Sequence, residues 1–347
     1  MRIGISGFQG TDVHKPGAAV ARCLRDDGRF SDEIIALESY PVTASLSLAT
    51  AAKEVRYFPS TGNEVESIRG LLCPSDASLR IDLFIPCDDM EVVATAQLAS
   101  EFRDAGVRAI VPSLEAVLCT QKAMLSDCLA SAGIPTPRMW RMAERTDHCA
   151  ENHRVCQFPV VCKGPVCDAY LASTQEELDV YVDRIRSIWG DPVLLQEFIS
   201  GDEYAVTGLA GEDSEVLGCV AIRKLGITEK GKTWCGVTVS EPSLRSLLEQ
   251  IVKTFSWVGP IEIEAIKDSR TGQFTIIEIN PRFPAWIYLA HKAGQNLPLL
   301  LVELAGGGRV SPLHEYRTGL VLMRTFQDET FPIHRIGQLL TEARVVL

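Results

Sequence analysis

The sequence has no apolar run near the roughly 18 residues that a helix needs to span a bilayer, so no membrane segment is expected. It is short of basic charge. Lys and Arg number 34 against 45 Asp and Glu, a formal net charge of −11. Proteins that grip a phosphate backbone concentrate Lys and Arg, so nucleic acid is excluded as a partner. The same deficit excludes an anionic membrane surface. No C-x-x-C pair occurs among the eleven scattered cysteines, an odd number, which argues against a disulfide framework. A full G-x-G-x-x-G is also missing. The first strand is followed only by Gly7-Phe8-Gln9-Gly10, and no hydride-transfer site is evident, so a Rossmann oxidoreductase is disfavoured. The chain opens on a strand-like Met1-Arg2-Ile3-Gly4-Ile5 rather than a basic region and a long apolar stretch. A cytoplasmic protein is expected.

What is present is enough chain for two or three packed units, 347 residues of which 46% are hydrophobic. Residues 1–112 alternate short apolar strands with helical spacing: strands near 2–6, 33–37, 53–58, 81–86 and 107–111, helices near 17–26, 65–72 and 91–105. This rhythm predicts a Rossmann-like parallel sheet with helices on both faces. In such sheets ligands sit beyond the carboxyl ends of strands. Two turns qualify, residues 7–14 and 87–91. Gly7 and Gly10 let backbone N–H groups approach an anion, or simply make a tight strand–helix turn. Asp88 and Asp89 can hold a substrate ammonium, or cap the helix that follows.

From Pro112-Ser113 onward the pattern changes. One helix is expected over 114–132, ended by Gly133. Strands at 158–163 and 192–199 flank a helix at 174–189. Residues 204–209 and 216–222 form an antiparallel pair, a helix covers 243–255, and a hairpin joins 261–267 to 273–279. A last helix is expected at 297–304. Four cysteines, Cys149, Cys156, Cys162 and Cys167, lie beside His148 and His153. Their spacing matches no familiar zinc pattern, and Cys162 falls in a strand-like run where a buried thiol simply packs.

The strongest local signal is Ile276-Ile277-Glu278-Ile279-Asn280-Pro281-Arg282-Phe283. Strand alternation puts Glu278, Asn280 and Arg282 on one face. Carboxylate and amide oxygens suit Mg²⁺, and a guanidinium forks onto phosphate. The partner strand offers Glu262 and Glu264, also alternating.

This hairpin, read with Gly259-Pro260-Ile261-Glu262-Ile263-Glu264, resembles the metal-binding hairpin of ATP-grasp enzymes. It is most similar to their carboxylate–amine ligase and carbamoyl phosphate synthetase types. The resemblance runs from about residue 113 to 308 and implies a Rossmann-like pre-ATP-grasp domain (1–112) before a two-lobed ATP-grasp domain (113–347) with its lid at about 153–198. It implies ATP with Mg²⁺ or Mn²⁺ held between the lobes. Lys122 and Lys163 would reach the phosphates. Gln196, Glu197, Phe198 and Ile199 would read adenine, partly through backbone atoms, and Glu203 would take the ribose hydroxyls. Glu264, Glu278 and Asn280 would be the metal ligands. Arg282 would stabilise the phosphoryl and tetrahedral intermediates, with Arg223 or Lys224 near the γ-phosphate. The implied activity joins an ATP-activated carboxylate to an amine, an amino acid or small peptide, with release of ADP and phosphate. Such ligases are commonly homodimers. Bicarbonate activation, or an ATP-binding regulatory protein without ligase activity, are the alternatives.

The chain departs from the family in two places. After Lys163 it has Gly164-Pro165-Val166-Cys167-Asp168, where relatives carry a longer glycine-rich loop. After Arg282 it has Phe283-Pro284-Ala285-Trp286 in place of small residues, which predicts an aromatic-lined or narrow acceptor site. Candidates for that acceptor site are His14, Lys15, Asp89, Trp286 and Arg324.

Overall fold

The computed structural model describes residues 1–8, 16–47, 52–58, 63–72, 79–142, 157–165, 168–228, 231–308, 310–325 and 328–347. Three sheets organise them. The first contains β1 (Arg2–Ile5), β2 (Glu33–Glu38), β3 (Glu54–Tyr57) and β4 (Leu83–Ile85), all parallel, in the order β3-β2-β1-β4. The strand expected at 107–111 is reduced to one parallel bridge between Leu83 and Arg108. The helix expected at 91–105 divides into Asp89–Gln97 and Ala99–Asp104. Helix Pro16–Arg25 packs hard on the end of β1. Gly17 donates its N–H to the Gly7 carbonyl at 2.9 Å, and a Cβ there would lie 2.0 Å from the Ser6 carbonyl oxygen, so only glycine fits.

The second sheet forms a small lobe in the order β5-β8-β6-β7, from β5 (Met139–Met142), β6 (Val160–Lys163), β7 (Ala169–Ala172) and β8 (Val193–Glu197). Its edge strand β5 lies upstream of 153, the expected start of the lid. Helix Gln175–Trp189, capped by the Thr174 side chain, lays Leu178, Val182 and Ile185 on Val160, Cys162, Val193 and Leu195.

The third sheet is antiparallel, in the order β13-β12-β9-β10-β11-β14. Its strands are β9 (Gly201–Ala210), β10 (Val216–Ile227), β11 (Thr233–Val239), β12 (Gly259–Asp268), β13 (Phe274–Asn280) and β14 (Val321–Met323). One face packs helix Pro242–Thr254 over Trp257, Ile261 and Ile263. The other end merges with the first sheet: Leu209, Leu217 and Val220 share one apolar cluster with Ile3, Ile5 and Leu83, bridged by helices Ile287–Ala293 and Leu297–Ala305. The parallel unit is therefore locked onto the large lobe by a continuous core. Finally β15 (Arg344–Val346) returns to pair antiparallel with β3.

Candidate functional site

The β12–β13 hairpin forms where expected, and its register sets the site. Glu264 lies opposite Glu278, and Glu262 opposite Asn280. Both cross-strand pairs share one face of the sheet, because partners directly opposite point the same way. Next door, β9 and β10 add Glu203 and Lys224. The Lys224 side chain is only 1% exposed, and its ammonium donates to Glu264 at 2.6 Å and Glu203 at 3.1 Å. Burial opposes its charge, but Glu264 and Glu203 outweigh that and hold its pKa above the ordinary lysine value.

Glu278 differs. Among the described residues no side chain hydrogen-bonds its carboxylate. Burial favours the neutral acid, yet the field of Lys122, Lys232, Lys163 and Lys224 overrides it and keeps the group ionised. Lys163 ends β6 and is buried, with no direct partner among the described residues. Burial, aided by Lys122, holds its pKa below the usual value, while Glu278, Glu264 and Glu203 act against that. The helix expected at 114–132 breaks at Thr120-Gln121, so Lys122 becomes the first residue of helix Lys122–Ser131. A lysine there opposes the helix dipole. Helix end and ammonium together favour an anion.

Arg282 closes the site from the other side. Its Nε lies 2.8 Å from Asp89 Oδ1, and its guanidinium donates to Asn280 Oδ1 at 3.3 Å. Burial works against its charge, and Asp89, Glu262, Asp88 and Glu278 more than compensate. Asp88 caps the helix by accepting from the Met90 N–H, and Asp89 faces Arg282.

Of the acceptor-site candidates, Trp286 is buried and donates Nε1–H to Glu262 Oε1 at 2.6 Å. Arg324 follows β14. Its Nε is buried without a hydrogen-bond partner, and burial brings its pKa down to about 10 against the pull of Glu262. His14 and Lys15 lie outside the described residues, as do His148, Cys149, His153, Cys156 and Cys167. Cys162 is a buried free thiol pushed up to about 12 by burial, as the packing reading expects.

Arg223 and Lys224 separate. Neighbours on a strand point to opposite faces, and Arg223 faces away to pair with Asp202 at 2.9 Å, with both side chains about half exposed. Along β8, Gln196 is buried and its Oε1 has no hydrogen-bond partner, whereas Glu197 turns outward to Arg138. Phe198 is exposed and Ile199 half-buried just beyond the strand. Gly164 and Asp168 close the β6–β7 turn with a hydrogen bond at 3.0 Å.

The sequence offered Glu262 beside Glu264 but assigned the metal to Glu264; in the structure Glu262 is the hub. It accepts from Trp286 and Asn280, and faces Arg282 at 3.8 Å. Burial and the neighbouring Glu264 push its pKa up to about 7, against Arg282, Trp286 and Lys224. Its alternation with Glu264 was the available signal.

The fold is the ATP-grasp fold: a parallel α/β unit, a small antiparallel lobe and a large antiparallel sheet carrying an acidic hairpin. Residues 190–325 match the family described as ATP-grasp in the biosynthetic pathway with Ter operon. Comparison with curated protein sequences gives no match. Solved structures agree on the fold. N5-carboxyaminoimidazole ribonucleotide synthetase from Thermotoga maritima is 17% identical, with a TM-score of 0.64 over 90% of this chain and 78% of its own. L-amino acid ligase from Bacillus licheniformis is 15% identical, with a TM-score of 0.66 over 90% and 74%. The biotin carboxylase domain of Hydrogenobacter thermophilus 2-oxoglutarate carboxylase, solved with MgADP and bicarbonate, is 16% identical, with a TM-score of 0.70 over 92% and 73%. No helix among the described residues is long and apolar enough to cross a membrane.

Proposed function

We propose that this chain is an ATP-dependent ligase that activates a small carboxylate as an acyl phosphate and joins it to an amine, releasing ADP and phosphate. The observation that carries the reading is the in-register Glu264–Glu278 pair on one face of the large sheet, with Lys224 bonded to Glu264 and with Lys122 and the small lobe's Lys163 acting on Glu278. Attack of a carboxylate oxygen on the γ-phosphorus crowds negative charge into a small space. Such chemistry needs positioned cations rather than a covalent nucleophile.

The residues fit a nucleotide. Lys122 and Lys163 would hold its phosphates, Gln196 offers a buried, unpartnered acceptor for an adenine amine, and Glu203, beside Lys224, would take the ribose hydroxyls. Among the described residues no three His, Cys, Asp or Glu side chains cluster as a complete metal cage. Mg²⁺ does not require one, since it is usually held by one or two carboxylates plus substrate phosphates and water. Glu264, Glu278 and Asn280 Oδ1 fit that partial set, and a bound Mg²⁺ would neutralise charge on the transferring phosphoryl group. Arg282, held by Asp89, would meet the phosphoryl oxygens. Trp286 and Arg324 would border the acceptor side, where the guanidinium suits a carboxylate.

The L-amino acid ligase likeness favours an amino-acid or peptide acceptor. The likeness to a biotin carboxylase domain bound to bicarbonate favours a second reading, bicarbonate activation. Incubation with ATP, Mg²⁺ and pooled amino acids should release ADP and phosphate. Release of AMP would overturn the acyl-phosphate mechanism. Bicarbonate-dependent turnover without an amine would select the second reading. ATP binding in calorimetry with no turnover across a broad screen would point to a regulatory protein.

A further inference from the structure

Two thiols flank the break that creates the Lys122 helix start. Cys119 is the last residue of helix Leu114–Cys119, and Cys128 lies in the second turn of helix Lys122–Ser131. The two sulfurs are 2.9 Å apart, with the Cys128 thiol directed at the Cys119 sulfur. Both residues are free and partly exposed, so a small oxidant can reach them. The separation is within about 1 Å of an S–S bond. Closing it needs only a small shift of side chains that already converge.

We propose that Cys119 and Cys128 are a reversible dithiol–disulfide pair, oxidised by a peroxide, that staples the turn carrying Lys122. The balance is simple. The Cys128 sulfur attacks one peroxide oxygen, the O–O bond breaks, and one water leaves with the thiol proton, giving a sulfenic acid. The Cys119 sulfur then attacks that sulfur. The S–S bond forms, the S–O bond breaks, and the second water leaves with the Cys119 proton. Both sulfurs are oxidised and the peroxide takes the two electrons. Burial and the Cys128 neighbour push the Cys119 thiol up to about 12, so it suits the second, intramolecular step rather than the first.

A disulfide over this short loop restricts the unfolded chain and should raise the melting temperature. It also fixes the helix start that presents Lys122. Pre-organising a binding element lowers the cost of binding, so the oxidised protein should bind ATP about two- to fivefold more tightly. This affinity effect rests on the nucleotide reading above; the bond and its effect on melting do not.

The sequence makes the test clean. Tryptic cleavage after Arg108, Lys122 and Arg138 puts Cys119 alone in peptide 109–122 and Cys128 alone in peptide 123–138. The folded full-length protein is treated with hydrogen peroxide, its remaining thiols are alkylated, and it is digested without reductant. The expected result is a 109–122/123–138 cross-link that dithiothreitol reverses, with a higher melting temperature than the reduced form. Cys119→Ser and Cys128→Ser should each lose both the cross-link and the rise in melting temperature. Absence of this cross-link, or Cys119 and Cys128 joined mainly to other cysteines, overturns the proposal. A cross-link that forms with unchanged ATP affinity, in protein that binds ATP, overturns the coupling to Lys122. A cross-link in protein that never binds ATP would instead count against the nucleotide reading.

Discussion

Two buried acidic centres in this molecule have opposite characters. In the crevice of the first sheet, Glu91 accepts from the Ser6 hydroxyl and from the Cys87 N–H at 3.3 Å, and Ser6 in turn accepts from Cys87. Burial pushes the Glu91 carboxyl up to about 8, so it stays neutral in a closed hydrogen-bonded set. On the β12–β13 face the carboxylates stay close together among buried cations. Glu278 has no direct partner among the described residues, and the Nε of Arg324 and Oε1 of Gln196 are unpaired. A structural carboxyl is neutralised and satisfied. A site built for a ligand keeps charges and acceptors waiting, at a cost the rest of the fold carries. The pairing of Lys224 with both Glu203 and Glu264 shows the difference most sharply, because it keeps a buried ammonium charged rather than neutralising it.

Substitutions should break this comparison unequally. The largest effect belongs to Glu278→Ala. Turnover should fall about a thousandfold, the several kcal/mol that a bound cation contributes to phosphoryl transfer. Because no described side chain hydrogen-bonds Glu278, far-UV circular dichroism should stay near wild type, although Lys163 and Arg282 lose a favourable charge. Normal turnover by this variant would remove the hairpin from the chemistry. Lys224→Met should act on stability instead. It strands Glu203 and Glu264, and breaking one partner of a buried ion pair costs about 3 kcal/mol or more, measurable by urea denaturation. Arg282→Lys should lower kcat about a hundredfold, the scale of losing one donor to a developing anion, because an ammonium cannot reproduce the fork that meets Asp89 and Asn280. A change in KM alone would place Arg282 in ground-state binding rather than at the transition state.

The hairpin was legible because period-two alternation is a local property: Glu262, Glu264, Glu278 and Asn280 declare their face within a few residues. The parallel β-α-β units were legible for the same reason. Other features depend on distant partners. Between Arg223 and Lys224 the choice required the register with β9, since Leu217 to Ile222 are buried throughout and give no inward face. The short edge strands β5, β7, β14 and β15 have three or four residues each, too few to set a period, and exist because a neighbouring strand offers an edge. The break at Thr120-Gln121 lies in a sequence that reads as uninterrupted helix, with no glycine or proline to mark it. Glu262 looked like one more alternating acid until Trp286 and Arg282 were seen to meet on it.

The smallest expected effect tests the quiet member of the pair. Glu91 keeps its proton in the fold until about pH 8, whereas in the unfolded chain it ionises near the ordinary glutamate value of about 4.3. Between those values the unfolded state binds fewer protons than the native state. Stability should therefore decline as pH rises through that window, by up to about 1.4 kcal/mol per pH unit, and level off above pH 8. Its contribution is fully present only below about pH 4, where both states are protonated. Glu91→Gln keeps an acceptor for Ser6 and Cys87 but cannot ionise. Urea denaturation at pH 6, 7 and 8 should show the wild type losing stability across the series and the variant losing less, so that the variant gains most at pH 8. Equal slopes for the two proteins would mean that Glu91 is already ionised in the fold. The contrast with Glu278 would then rest on hydrogen bonding alone and not on charge.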